Sequence, residues 1–140
     1  MTRPEIESLL EEHHAAFASR DPARIAAGHA PDGTFESPAA GKVSPRDRIE
    51  EIYRYWFAAF PDMIFDWGPP IIDGDRVAFF WTFQGTVAGP FFGDARPGTR
   101  VTMIGAAEYL MSPDGIVSAR HVFDFSGALV KAGALKIKPS

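Results

Sequence analysis

Residues 73–111, DGDRVAFFWTFQGTVAGPFFGDARPGTRVTMIGAAEYLM, decide the fold. Asp73-Gly74-Asp75 signals a hairpin, because Gly and Asp tolerate the positive φ that tight turns demand. It leads into a long strand, Arg76 to Ala88, rich in β-branched and aromatic residues. Gly89 to Gly98 is a Gly/Pro-rich loop, and Thr99 to Met111 is a second long strand. Alternation puts Phe79, Trp81 and Phe83 on one face and Phe80 and Thr82 on the other. Both faces are therefore partly apolar. One is expected to pack on helices and the other to meet a second sheet or a partner subunit.

Toward the C-terminus, Pro113-Asp114-Gly115 turns the chain and Ile116 to Phe125 pairs back. The tail, Ser126 to Ser140, carries small and basic residues and is expected to cover an end of the sheet. Toward the N-terminus, Met63 to Ile72 reads as one strand, and helices precede it. Pro4 to Ser19 repeats apolar or aromatic groups at Ile6, Leu9, Leu10, His13 and Phe17, leaving Glu5, Glu7, Glu11 and Glu12 to solvent. Asp21-Pro22 caps a short helix running to about Ala30, ended by Pro31-Asp32-Gly33. Thr34 to Ser37 is a short extended piece stopped at Pro38. Ser44-Pro45-Arg46-Asp47 opens the clearest helix, with Ser as cap and Ile49, Ile52, Tyr53, Trp56, Phe57 and Phe60 as its apolar face. Helices followed by an antiparallel meander make this an α+β fold, with residues 1–140 as one domain.

Composition narrows the function. The chain has 140 residues, enough to bury a core without staples, and its twelve Phe, three Trp and three Tyr exclude whole-chain disorder. There is no cysteine, hence no thiolate site or disulfide. A net charge of −4 with scattered basic residues argues against a nucleic-acid surface. No run approaches the ~20 apolar residues of a membrane span, and the acidic start does not resemble a signal peptide. A cytoplasmic protein without membrane partners is expected.

Four stretches carry a family resemblance: FASRDPARIAAGHAPDGTFESP, SPRDRIEEIYRYWFAAFPD, DGDRVAFFWTFQGTVAGPFFG and GTRVTMIGAAEYLMSPDGIVSARHVFDFSGALVKAG. In their order and spacing the chain resembles the nuclear transport factor two-like superfamily, and within it the SnoaL-like polyketide cyclase group. The resemblance implies a cone-shaped curved sheet packed on N-terminal helices around an apolar pocket, and frequent homodimers. It covers isomerases, cyclases, epoxide hydrolases and non-catalytic binding domains, so it implies the pocket and leaves the chemistry open.

Asp124, between Phe123 and Phe125, is the first candidate catalytic residue, since an unpaired charge there would be costly if buried. The resemblance puts it at the acid/base aspartate of SnoaL-like cyclases. An apolar cavity raises a carboxyl pKa and suits it to proton shuttling. The residues alone equally allow an N-cap opening a turn at Phe125-Ser126-Gly127. His121 is a second candidate, although alternation sends it and Asp124 to opposite faces unless a bulge or strand end unites them. His13, on the inward stripe of the first helix, is the third, near the place of the oxyanion-stabilising tyrosine of ketosteroid isomerases. Its plain alternative is a hydrogen-bonded histidine at the core edge. The four histidines lack metal-like spacing, so neither metal nor cofactor is expected.

Departures from the family are informative. The isomerase base aspartate falls at Ser37, the second isomerase acid near Ala106, and the Arg and Asp of limonene epoxide hydrolase at Trp81 and Phe83. Classical isomerisation and epoxide hydrolysis are disfavoured. Tyr53, Trp56, Phe57, Trp81 and Phe83 are expected to wall a substrate pocket as well as fill the core. Glu36 and Glu108 are possible pocket carboxylates, with cross-strand ion pairing to Arg120 as the plain expectation. Pro90, Phe91 and Phe92 would form a lid or a dimer contact.

The leading reading is an enzyme acting by acid/base chemistry on a hydrophobic carbonyl-bearing substrate. Asp124 would exchange a proton beside the carbonyl, and His121 or His13 would stabilise the enolate. A non-catalytic ligand-binding domain with the same pocket and a dimerisation module with a vestigial pocket are the alternatives. A homodimer through the outer sheet face is expected.

Overall fold

The computed structural model describes residues 1–138. Helix α1 (Arg3–Ser19) starts at Thr2, whose hydroxyl accepts the Glu5 N–H while the Glu5 carboxylate accepts the Thr2 N–H. It buries Ile6, Leu10, His13 and Ala16. Helix α2 (Pro22–Ala27) is capped by Asp21, which accepts from the Ala23 and Arg24 N–H groups. It ends sooner than the sequence suggested, because His29 already begins strand β1 (His29–Ser37). Pro31-Asp32-Gly33 lies inside that strand as an irregularity, the register shifting between His29 and Thr34. A Cβ on Gly33 would meet the Ala30 and Ile116 carbonyls at 2.9 Å, so only glycine fits there. Strand β2 (Gly41–Val43) folds back on β1.

Helix α3 (Arg46–Ala59) buries Ile49, Tyr53 and Phe57. Its cap position is Pro45, not Ser44, and no side chain caps its first turn. The strand expected from Met63 to Ile72 is two strands, β3 (Ile64–Trp67) and β4 (Ile71–Asp73). The break falls at Gly68-Pro69-Pro70, where the prolines have no N–H to give a ladder. Both pieces pair with β5 (Arg76–Thr86), which pairs with β6 (Arg100–Ser112) and, through it, β7 (Gly115–Phe123). Helix α4 (Phe125–Ala132) follows and contacts β6.

The strand order is β2-β1-β7-β6-β5-β3, with β4 beside β5, in a curved, unclosed sheet. Every pairing is antiparallel except β1 with β7, which is parallel and makes the sheet mixed. Phe79, Trp81 and Phe83 face inward, as alternation predicts. Phe91 of the Gly/Pro-rich loop is fully buried against Trp56 and Phe60, with ring centroids 4.9 and 5.0 Å away. Phe92, at φ +55°, stays half exposed over Tyr55, whose hydroxyl accepts its N–H at 2.6 Å. This loop therefore inserts one ring into the core and rests the next on α3. On the outer face Phe80, Ile104 and Val122 are 73%, 78% and 57% exposed.

Candidate functional site

A cavity of about 50 Å³ lies between α1, α3 and the concave sheet face. Its wall is mainly aromatic, including Phe17, Phe35, Trp56, Phe65, Trp67 and Phe123. Its polar members are Ser37, Tyr53, Trp81 and His121. The enclosed space suits one or two water molecules and is below the ~300 Å³ typical of ligand pockets. A larger ligand therefore enters only if wall side chains move. Trp56, Phe65, Trp67 and Phe123 are half-buried rather than locked in the core.

His121 is the polar centre of this wall. Its Nδ1 accepts a hydrogen bond from Trp81 Nε1–H at 3.2 Å. An indole nitrogen only donates, so the neutral imidazole carries its proton on Nε2. That nitrogen has no partner among the described residues. Burial, and then the field of His29, pushes the His121 pKa down to about 3. The ring is neutral at physiological pH, a poor base but a ready donor. Trp81 reaches His121 because its direct strand partner is Gly105, where a Cβ would collide with the indole ring.

Two further polar groups flank it. Tyr53 places its hydroxyl 2.7 Å from His29 Nε2, and burial holds the phenol well above its ordinary pKa. Ser37 Oγ accepts the Ala40 N–H at 3.0 Å, leaving its own proton free to donate. Phe35 and Ser37 reach the wall because β1 runs parallel beside β7, a pairing that the sequence pattern did not disclose.

Several expected site residues lie elsewhere. Asp124 is exposed at the N-cap of α4, where its carboxylate accepts the Gly127 N–H at 2.9 Å and the Ser126 hydroxyl at 3.2 Å. Strand β7 stops at Phe123 without a bulge that would turn Asp124 inward, so His121 and Asp124 are not brought together. Glu108 is exposed and pairs with Arg76 at 2.6 Å, which corrects both its pocket role and its expected partner. Arg120 pairs instead with Glu36, at 2.8 Å, as foreseen for that acid. Phe83 is core, between Phe60 and Phe65, and Phe57 borders a separate groove with Met63 and His14. His13 is buried but outside the cavity wall, edge-on to Phe17, His29 and Tyr109. Tyr53, Trp56 and Trp81 do line the cavity. Phe35, Ser37, Phe65 and Trp67 were not foreseen there. For Phe65 and Trp67 the signal was present in their alternation, which turns both rings toward β5's inner face.

Among the described residues no group of three or more His, Asp or Glu is placed to hold a metal. No described helix is long and apolar enough to cross a membrane.

Comparison with known proteins adds the family. A search of curated proteins finds no match. Among solved structures, AclR, a proposed hydroxylase from Streptomyces galilaeus, is similar at 27% identity over 99% of this chain and 91% of that one, with TM-score 0.81. A protein of ketosteroid isomerase-like fold from Catenulispora acidiphila, in complex with trimethylamine, shares 21% identity over 99% and 100% of the two chains, at TM-score 0.77. A proposed SnoaL-like polyketide cyclase from Jannaschia shares 16% over 91% and 93%, also at 0.77. The model of the SnoaL-like domain matches residues 10–119. The chain belongs to the SnoaL-like domain family.

Proposed function

We propose that the cavity binds a small, flat, hydrophobic molecule bearing a carbonyl, and that His121 Nε2–H donates to the carbonyl oxygen. The observation that carries this reading is the Trp81–His121 hydrogen bond, which commits the other nitrogen of His121 to donation. A neutral donor in a mainly aromatic site stabilises charge that develops on oxygen as an enolate forms, without the cost of burying a cation. The wall has no carboxylate and His121 is committed to donation, so the carbon-bound proton leaves to water in the cavity, and a substrate must be a carbon acid activated on two sides to ionise there. This supports an isomerase- or cyclase-type reaction on such substrates, in keeping with the proposed cyclase among the similar structures. Placement of Asp124 at a helix cap favours, as the second reading, a binding domain that holds the same molecule without turnover.

One probe separates the two. 2-Tetralone is flat, and its C1–H is activated by both ring and carbonyl. Bound to the protein in D2O, its carbonyl stretch should move to lower frequency, and C1 should exchange deuterium faster than in buffer. His121→Phe should abolish both effects. A carbonyl shift without faster exchange selects the binding domain, and no shift at saturation sinks the His121 role.

We also propose a second copy of the chain on the outer sheet face. Phe80, Ala106 and Val122 are cross-strand neighbours there, with Ile104 beside them, and together they line an open apolar groove. Exposed apolar patches of this kind mark association surfaces.

A further inference from the structure

Helix α1 and the concave sheet face enclose four polar atoms without a hydrogen-bond partner among the described residues. They are Nδ1 and Nε2 of His13, Nδ1 of His29 and the Tyr109 hydroxyl. All three residues are almost fully buried. The His13 ring centroid lies 5.6 Å from that of His29 and 5.8 Å from that of Tyr109, so the rings that carry the four atoms form one contact cluster. A neutral imidazole has one donor and one acceptor nitrogen, and a phenol can do either. Buried polar groups are satisfied by protein or by ordered water, and a bridging water uses about two to four such partners. Water both donates and accepts, which matches this mixed set; a bare cation would serve only the acceptors.

The cluster also has two ends. On one side His13 borders a surface groove of about 290 Å³ with Glu12 and Arg24. Gly28 stands beside it, where an added Cβ would come within 3.0 Å of His13 Nδ1. On the other side His29 Nε2 sits 2.7 Å from the Tyr53 hydroxyl, and Tyr53 is part of the cavity wall. We infer that His13, His29 and Tyr109 bind an ordered internal water, and that this water and the His29–Tyr53 pair form a proton relay from the His13 groove to the cavity.

The relay balances at every hop. Tyr53 passes its hydroxyl proton to an anionic ligand, and His29 Nε2 replaces it. His29 Nδ1 takes a proton from the water, the water takes one from His13, and His13, buried at the inner end of the groove, recovers one from solvent when the groove wall opens locally. Each hop breaks one N–H or O–H bond and forms one, so the net change is one proton from solvent to ligand. The rings exchange tautomers and stay neutral, as their burial requires. The charged and titratable neighbours are Glu12, Arg24 and His14 near His13, Arg46 on the His29 carbonyl, and His121 beside Tyr109. Only the last hop rests on the proposed ligand role of the cavity.

The test uses the ligand-free, ¹⁵N-labelled protein, so failure of the 2-tetralone experiment would leave it readable. Cross-relaxation from water to the ring N–H groups of His13 and His29 is expected. In His13→Phe, exchange of the His29 ring proton with solvent should slow roughly tenfold. The Trp81 indole N–H resonance should stay in place and report an intact cavity. Absence of a water contact at both rings in the wild type, or unchanged exchange in the variant, overturns the relay. Should His13→Phe fail to fold, Tyr109→Phe removes a single hydroxyl and must weaken the water contact; an unaltered contact there overturns the proposal as well.

Discussion

The Trp81 indole crosses Gly105 on the adjacent strand and donates to His121 Nδ1 on the strand beyond, at 3.2 Å. Three neighbouring strands thus cooperate to fix one tautomer. β5 supplies the donor, β6 supplies the gap, and β7 supplies the imidazole.

Gly105→Ala should break this arrangement, because its methyl group would occupy the space of the Trp81 ring. Overpacking of this kind costs about 1–3 kcal/mol. Urea denaturation should show the loss, and the Trp81 indole N–H resonance should shift as its hydrogen bond is lost. An unchanged indole resonance would mean that Gly105 is not what lets Trp81 reach His121.

Trp81→Phe should leave His121 Nδ1 buried without a donor, at a cost of about 1–3 kcal/mol. The ring is then free to populate both tautomers. ¹⁵N ring shifts of His121 should change from one tautomer to a mixture, and the carbonyl shift of bound 2-tetralone should shrink. A single Nε2–H tautomer surviving in the variant would show that something other than Trp81 sets it.

Much of this fold was legible because its patterns are local. The hairpin at Asp73-Gly74-Asp75, the inward row of Phe79, Trp81 and Phe83, and the Asp21 cap follow from turn chemistry, alternation and capping. The misreadings around β1 came from tertiary pairing. Pro31-Asp32-Gly33 looks like a helix stop, yet pairing with β7 draws it into β1 as an irregular stretch. That same parallel pairing brings Phe35 and Ser37 to the cavity. Asp124 illustrates the limit of motif logic, since one residue past the strand end decides between pocket and cap.

Acid should destabilise the fold. Burial lowers the pKa of His13 well below its usual range, of His29 to about 4 and of His121 to about 3. In the unfolded chain these rings take up protons below about pH 6.5, whereas the folded state excludes them. Stability is therefore complete above that pH and falls as pH drops toward 4. Each ring contributes a slope of about 1.4 kcal/mol per pH unit, so the three together give up to about 4 kcal/mol per unit. Urea midpoints at pH 7.5 and 5.0 measure this, and equal midpoints would mean that the rings take up protons as readily in the fold as in the unfolded chain.

Asp124→Ala should behave as the loss of a helix cap. The Gly127 N–H and Ser126 hydroxyl lose their acceptor, which costs about 1 kcal/mol. The carbonyl shift of 2-tetralone and the His121 ring resonances should be unaffected. Were the variant to keep its fold and the carbonyl shift yet lose deuterium exchange, Asp124 would have to turn into the cavity during the reaction.

The outer sheet face offers the last prediction. Phe80, Ile104 and Val122 are large apolar side chains standing mostly in water on consecutive central strands. A stable interface needs about 800 Å² from each partner, and the central strands of a seven-stranded sheet can present a continuous face for it. Introducing like charges with Phe80→Glu and Ile104→Glu would force a second copy to bury them unpaired. Alternation turns both side chains away from the cavity, so the Trp81–His121 bond should persist. Sedimentation equilibrium at micromolar concentration should give a dimer for the wild type and a monomer for the double variant, with the indole resonance unmoved. A wild-type monomer at tens of micromolar would remove the second copy as the occupant of this face, and leave its apolar rows to a different partner.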